Sequence, residues 1–216
     1  MTLPTIPRDI MKKIVTLVGE EGHEHLAAWI FMEREGRDMV YSVGTCFIRN
    51  LCSELEYIFP GENGRPFFQR CLEADNPEAV YSESLRLALS AEDFEGAIDL
   101  LDTNVPKSSR ATFVAAIFSV CADKCECANE YFTTLFATFA PHDSPRIREL
   151  GDSLLERLIE FKPTYSGFML SPFRFPVCPS VPWPDCSINC YICGNMSCNH
   201  CYLYWCTREI VLMICD

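Results

Sequence analysis

Cys190 and Cys193, then Cys198 and Cys201, form two Cys-x2-Cys pairs in the run CSINCYICGNMSCNHCYLYWC. Each pair sets two thiols on one tight turn, and zinc prefers four such ligands in a tetrahedron. Gly194 and Asn195 could reverse the chain between the pairs. The spacer, Gly194 to Ser197, is shorter than the roughly 12–20 residues of common zinc ribbons. Cys186, His200 and Cys206 stand close enough in sequence to substitute. Two readings fit: a candidate zinc site, or a reduced, cysteine-rich packing segment. Other chemistry finds less support. His23 and His25 sit in a polar stretch, and His200 beside Cys201 is a dyad only if folding joins the two side chains. There is no Gly-x-Ser-x-Gly, no phosphate-binding glycine loop and no His-Glu-x-x-His, so the chain is expected to be non-catalytic.

Composition narrows the partners. With 49% hydrophobic residues, the chain can build a core. A net charge of -12 opposes binding to a phosphate backbone, so no nucleic acid is expected. ATFVAAIFSVCA and IVLMIC are too short to span a bilayer, and lysines interrupt the apolar residues near the start, against a secretory signal. These features predict a cytoplasmic or nuclear protein without membrane attachment. Its fourteen cysteines would then stay reduced.

The elements that must position these residues are helices. Residues 1–60 carry 6 basic and 9 acidic side chains, residues 61–162 carry 10 and 18, and residues 163–216 carry 2 and 3. The last segment also holds eight of the fourteen cysteines and the run PFRFPVCPSVPWP, which predicts an irregular tail. In the first, Pro7 suits the first helical position and Asp9 the first turn. Ile10, Met11, Ile14, Val15, Leu17 and Val18 then recur at helical spacing. A helix of that length is marginal alone, so it needs a packing partner. In the middle, Asn76 and Pro77 open one helix and Ser144 and Pro145 another. Between them EDFEGAIDLLDT, SRATFVAAIFSVCA and ANEYFTTLFATFA continue the pattern, the second apolar nearly all round. The fold class predicted is all-α, an antiparallel array of helices joined by short turns.

IPRDIMKKIVTLV resembles the opening of the F-box motif, in which Leu-Pro-x-Asp/Glu precedes an amphipathic helix; Ile6, Pro7, Asp9, Ile10, Ile14 and Leu17 occupy matching positions. FFQRCLEADNPEAVYSESLRLAL followed by ATFVAAIFSVCA resembles the helical-repeat domain behind a degenerate F-box in a large plant family. Phe68, Arg70, Cys71, Glu73, Asn76, Pro77, Glu78, Ala79 and Tyr81 carry that match, in a stretch of about 130 residues. The sequence departs from the family where WIFMEREGRDMVYSVG replaces the usual Val-Cys-Lys run, and at Asp75 and Ser84, where glycine is common.

The resemblance implies an F-box-like motif over 1–60, a tetratricopeptide- or Sel1-like repeat domain over 61–162, and a Pro- and Cys-rich segment over 163–216. It further implies a substrate adaptor of a cullin ubiquitin ligase. Ile6, Pro7, Ile10, Ile14, Leu17 and Val18 would meet a Skp-type adaptor in the cullin complex, and the repeats would hold a protein substrate. The alternatives are a helical-repeat scaffold without a ligase, and a zinc-binding interaction module in the tail.

Overall fold

The computed structural model describes residues 6–21, 23–26, 29, 34–40, 58–62, 64–161 and 199–215. Among them the regular structure is helical, with no strand. None of the described helices is long and apolar enough to cross a membrane. The chain divides into two compact units, Met1–Ser82 and Glu83–Asp216, the boundary falling inside one helix.

The first unit contains α1 (Arg8–Glu21), a 3-10 turn (His23–Leu26), α2 (Arg34–Val40) and α3 (Arg65–Glu73). The start of α4 (Pro77–Ser90) closes it. Pro7 stands just before α1, and its carbonyl accepts from the Ile10 and Met11 amides at 3.0 and 3.1 Å. α1 packs on the 3-10 turn and α2, and Val15, Leu26, Met39 and Val40 are buried there. Phe67, Phe68 and Cys71 are the buried residues of α3.

The α3–α4 junction shows how local chemistry ends one helix and starts the next. The Asp75 amide donates to the Leu72 carbonyl and the Asn76 amide to the Cys71 carbonyl, both at 3.0 Å. This is the double bond of a Schellman motif, and it puts Asp75 in the left-handed region at φ 53°. Asn76 then caps α4: its Oδ1 accepts from the Glu78 and Ala79 amides at 2.9 and 3.1 Å.

The second unit holds the rest of α4, then α5 (Phe94–Asp102), α6 (Ser109–Cys121), α7 (Cys125–Thr138), α8 (Pro145–Phe161) and α9 (Asn199–Cys215). Its axis is α6, in which every residue from Ala111 to Val120 is buried. That helix packs against α5, α7, α8 and α9, as an apolar sequence without a polar face requires. Side-chain caps start α5, α6 and α8. Asp93 Oδ1 accepts from the Gly96 amide at 2.8 Å, Ser108 Oγ from Ala111 at 3.2 Å, and Ser144 Oγ from Arg146 at 3.0 Å.

One expectation is corrected. The tail is not irregular throughout, because Asn199–Cys215 form α9 and pack on α8 and α6. Its buried residues Tyr202, Cys206, Ile210 and Ile214 recur every fourth position. Cysteine there behaves as a small apolar residue.

Candidate functional site: an exposed helix face and the cysteine segment

The apolar residues of α1 divide between two faces. Val15 and Gly19 are buried, whereas Ile10 and Leu17 are 52% and 54% exposed. Ile6, just before the helix, is 51% exposed, and Ile14 and Val18 are half-buried. At 100° per residue, Ile10, Ile14 and Leu17 of α1 fall within one sector of about 60°. Val15 and Gly19 lie on the opposite side. Of the residues expected to meet an adaptor, Ile6, Pro7, Ile10 and Leu17 are therefore exposed, and Ile14 and Val18 border the packed side. A half-turn of separation lets one face anchor the helix while the other stays available.

The candidate zinc ligands are only partly in view. Cys190, Cys193 and Cys198 lie outside the described residues, as do Cys186 and the His200 side chain. Cys201 is in the first turn of α9 and buried, and Cys206 is fully buried one turn further on. No three His, Cys, Asp or Glu side chains among the described residues are grouped to hold a metal. Cys201 and Cys206 are free thiols.

Around Cys206 lies a polar cluster that motif searching missed. The Tyr202 hydroxyl donates to Asp152 Oδ1 at 2.6 Å and has the Arg148 carbonyl oxygen 3.1 Å away. The Arg148 guanidinium stacks 4.3 Å from the Tyr202 ring centroid, and its Nε donates to Asn199 Oδ1 at 3.0 Å. Burial pushes the Cys206 thiol up to about 12; the Tyr202 hydroxyl opposes this, and Asp152 adds to it. Burial also raises the Tyr202 phenol, with Cys206 and Asp152 reinforcing it. Both groups therefore stay protonated at neutral pH, which favours hydrogen bonding over nucleophilic chemistry. The signal in the sequence was Gly151, a glycine inside an otherwise strong helix pattern. A Cβ there would collide with the Tyr202 hydroxyl and stand 2.7 Å from Cys206 Sγ.

A similar, shallower contact joins α7 to α5, where the Tyr131 hydroxyl donates to Asp102 Oδ1 at 3.1 Å. Burial, then the Asp102 charge, pushes that phenol up to about 12. Lys124 pairs with Glu95 at 2.8 Å across the same helices.

Compared with family models, curated proteins and solved structures, the chain finds no match.

Proposed function

We propose that the chain is a non-catalytic substrate adaptor of a cullin ubiquitin ligase. In this reading α1 docks on a Skp-type adaptor and the helices beyond it, arranged as tetratricopeptide- or Sel1-like repeats, hold a protein substrate in the cytoplasm or nucleus. The observation that carries it is the outward stripe of α1. Ile10 and Leu17, and Ile6 just ahead of the helix, are each more than half exposed, while the other side of α1 is already packed. Large apolar side chains left in water lose the stabilisation of burial, about 1.5–3 kcal/mol each, which an interface recovers. Pro7 and Asp9 at the head of the helix agree with the F-box opening. The mechanism is proximity: a substrate held near the charged conjugating enzyme reacts at raised effective concentration, with no chemistry in this chain.

Capture of a purified Skp-type adaptor by the full chain tests the reading. Wild type should bind, and Ile10→Asp with Leu17→Asp should weaken capture at least about a hundredfold, since it forces charge into an apolar contact. No capture by wild type, or undiminished capture by the folded double variant, removes the assignment. The first of those results would leave a helical scaffold without a ligase.

A further inference from the structure

The outward stripe of α1 shares its helix with cations that the fold leaves unpaired. Among the described side chains, the arginines and lysines outside α1 are engaged. Arg86 pairs with Glu83, Lys124 with Glu95, Arg146 with Glu149 and Arg157 with Glu160. Arg65 and Lys107 donate to backbone carbonyls and Arg148 to Asn199. Arg70, Arg110 and Arg208 have partners as well. Arg8, Lys12 and Lys13 are different: each is exposed, and none meets an acidic, hydrogen-bonding or ring partner among the described residues. Asp9, four positions before Lys13, is unpaired too. The chain has 30 acidic side chains against 18 basic ones, so carboxylates are not scarce. Nor do these charges serve the helix itself. Arg8 stands in the first turn of α1 and Glu21 in the last, each at the end the helix dipole disfavours.

The three cations hold different places around the helix. At 100° per residue, Lys13 stands about 40° from Leu17 and about 60° from Ile10, at the edge of the stripe. Arg8 and Lys12 stand about 20° from Val15 and Gly19 respectively, on the packed side, yet both are exposed nearer the head of the helix. A helix lying on an anionic lipid surface has basic residues flanking its apolar face, and here two of the three cations lie away from it. A protein groove asks only for one charge beside the stripe and a favourable field around it.

We propose that the partner of α1 is a protein groove with an apolar floor and one acidic rim. A carboxylate on that rim meets Lys13, while Arg8 and Lys12 act across the helix by their field. The proposal rests on the reading of α1 as the adaptor-docking helix and adds the chemistry of the surface it meets. Ile10, Ile14 and Leu17 supply contact area, but three aliphatic side chains leave rotation and sliding of the helix poorly fixed. A charge pair at the edge fixes both, and the surrounding cations speed encounter.

The test follows association and dissociation of a purified Skp-type adaptor on the immobilised full chain as salt is varied. Wild-type association should slow about tenfold between about 0.02 and about 0.5 M salt. The net charge of -12 acting alone would repel an acidic partner and give the opposite slope. Arg8→Gln with Lys12→Gln should slow association about threefold at low salt and leave dissociation as it is. Lys13→Gln should speed dissociation about tenfold, and Lys13→Arg should restore most of the loss. A flat or rising wild-type salt profile overturns the proposal, and so does Lys13→Gln that dissociates at the wild-type rate. Binding of wild type to phosphatidylserine-rich vesicles, lost in Ile10→Asp with Leu17→Asp, would assign the stripe to lipid and overturn it as well. Capture that persists but ignores these charges removes only the acidic rim, whereas a wild type that captures no adaptor removes the ligase reading and the proposal together.

Discussion

Asp75 and Asp123 solve the same local problem with the same costly backbone. Each follows a helix in the left-handed region, at φ 53° and 56°, and each belongs to a Schellman motif. Asp123 donates to Val120 at 3.1 Å and Lys124 to Ser119 at 2.8 Å, repeating the bonds around Asp75. Aspartate tolerates this region better than most residues, but glycine adopts it without a Cβ penalty. Asp75→Gly or Asp123→Gly should therefore stabilise the protein by about 0.5 kcal/mol, read as a higher denaturation midpoint. Asn76→Ala should act oppositely, losing about 1–2 kcal/mol, because one buried and one part-buried amide would lose their acceptor. An unchanged midpoint for Asn76→Ala would show that the cap is dispensable. The sequence pattern placed Asn76 correctly, since Asn-Pro-Glu is a cap signal. It did not show that Asp75 would adopt the left-handed region, because a positive φ leaves no compositional trace.

A second residue-scale prediction concerns alkaline pH. Cys206 is raised from 9.0 to about 12, chiefly by burial. The folded state then holds the proton more tightly than the unfolded state between those values. Stability must fall as pH rises through that window, and it is unaffected below the unfolded value. Tyr131, raised from 10.0 to about 12, acts in the same direction, although its partial exposure lessens the effect. Denaturation midpoints should hold up to about pH 9 and decline from there to about pH 11, and Cys206→Ala should flatten the decline while lowering the midpoint throughout. A slope unchanged in that variant would rule Cys206 out as its source.

At the scale of elements, α1 is two helices in one sequence, a buried side that fixes it and an outward side that the first unit does not use. Ile10→Asp with Leu17→Asp should leave the melting temperature within the shift expected of surface changes, about 0.5 kcal/mol. Val15→Ala should cost about 2 kcal/mol by opening space at a fully buried position. Thermal melts of the two variants check this, and a large loss from the Ile10 and Leu17 pair would mean that the outward face is part of the fold. Periodicity revealed the apolar stripe but not its division, because Ile14, Val15 and Val18 link the two faces in sequence. The middle helices were legible for a simpler reason. Caps such as Asn76 and Ser144 are local signals that survive without tertiary context, and the uninterrupted apolar run of α6 predicts burial by several neighbours. α9 was obscured because its cysteines invited reading as ligands and because the prolines ahead of it dominated the composition. With Cys206 counted as apolar, the spacing of Tyr202, Cys206, Ile210 and Ile214 would have shown the helix.

At the scale of the whole molecule, the placement of α9 changes what the cysteine segment needs from a metal. Small cysteine-rich modules often fold only when zinc binds, since ligation supplies the free energy that a missing core cannot. α9 already has a core: Leu203, Cys206, Ile210 and Ile214 are buried against helices of its own unit. Each such side chain contributes about 1.5–3 kcal/mol to holding the helix in place without a metal. Zinc held by Cys190, Cys193, Cys198 and Cys201 would therefore be an addition to a helix that is already packed. Treating the purified, reduced protein with a strong chelator should leave backbone hydrogen exchange of residues 202–214 unchanged, whatever metal is removed. Faster exchange at Leu203, Ile210 and Ile214 after chelation would show instead that metal orders this helix, and that its apolar packing on α6 and α8 is a consequence of ligation.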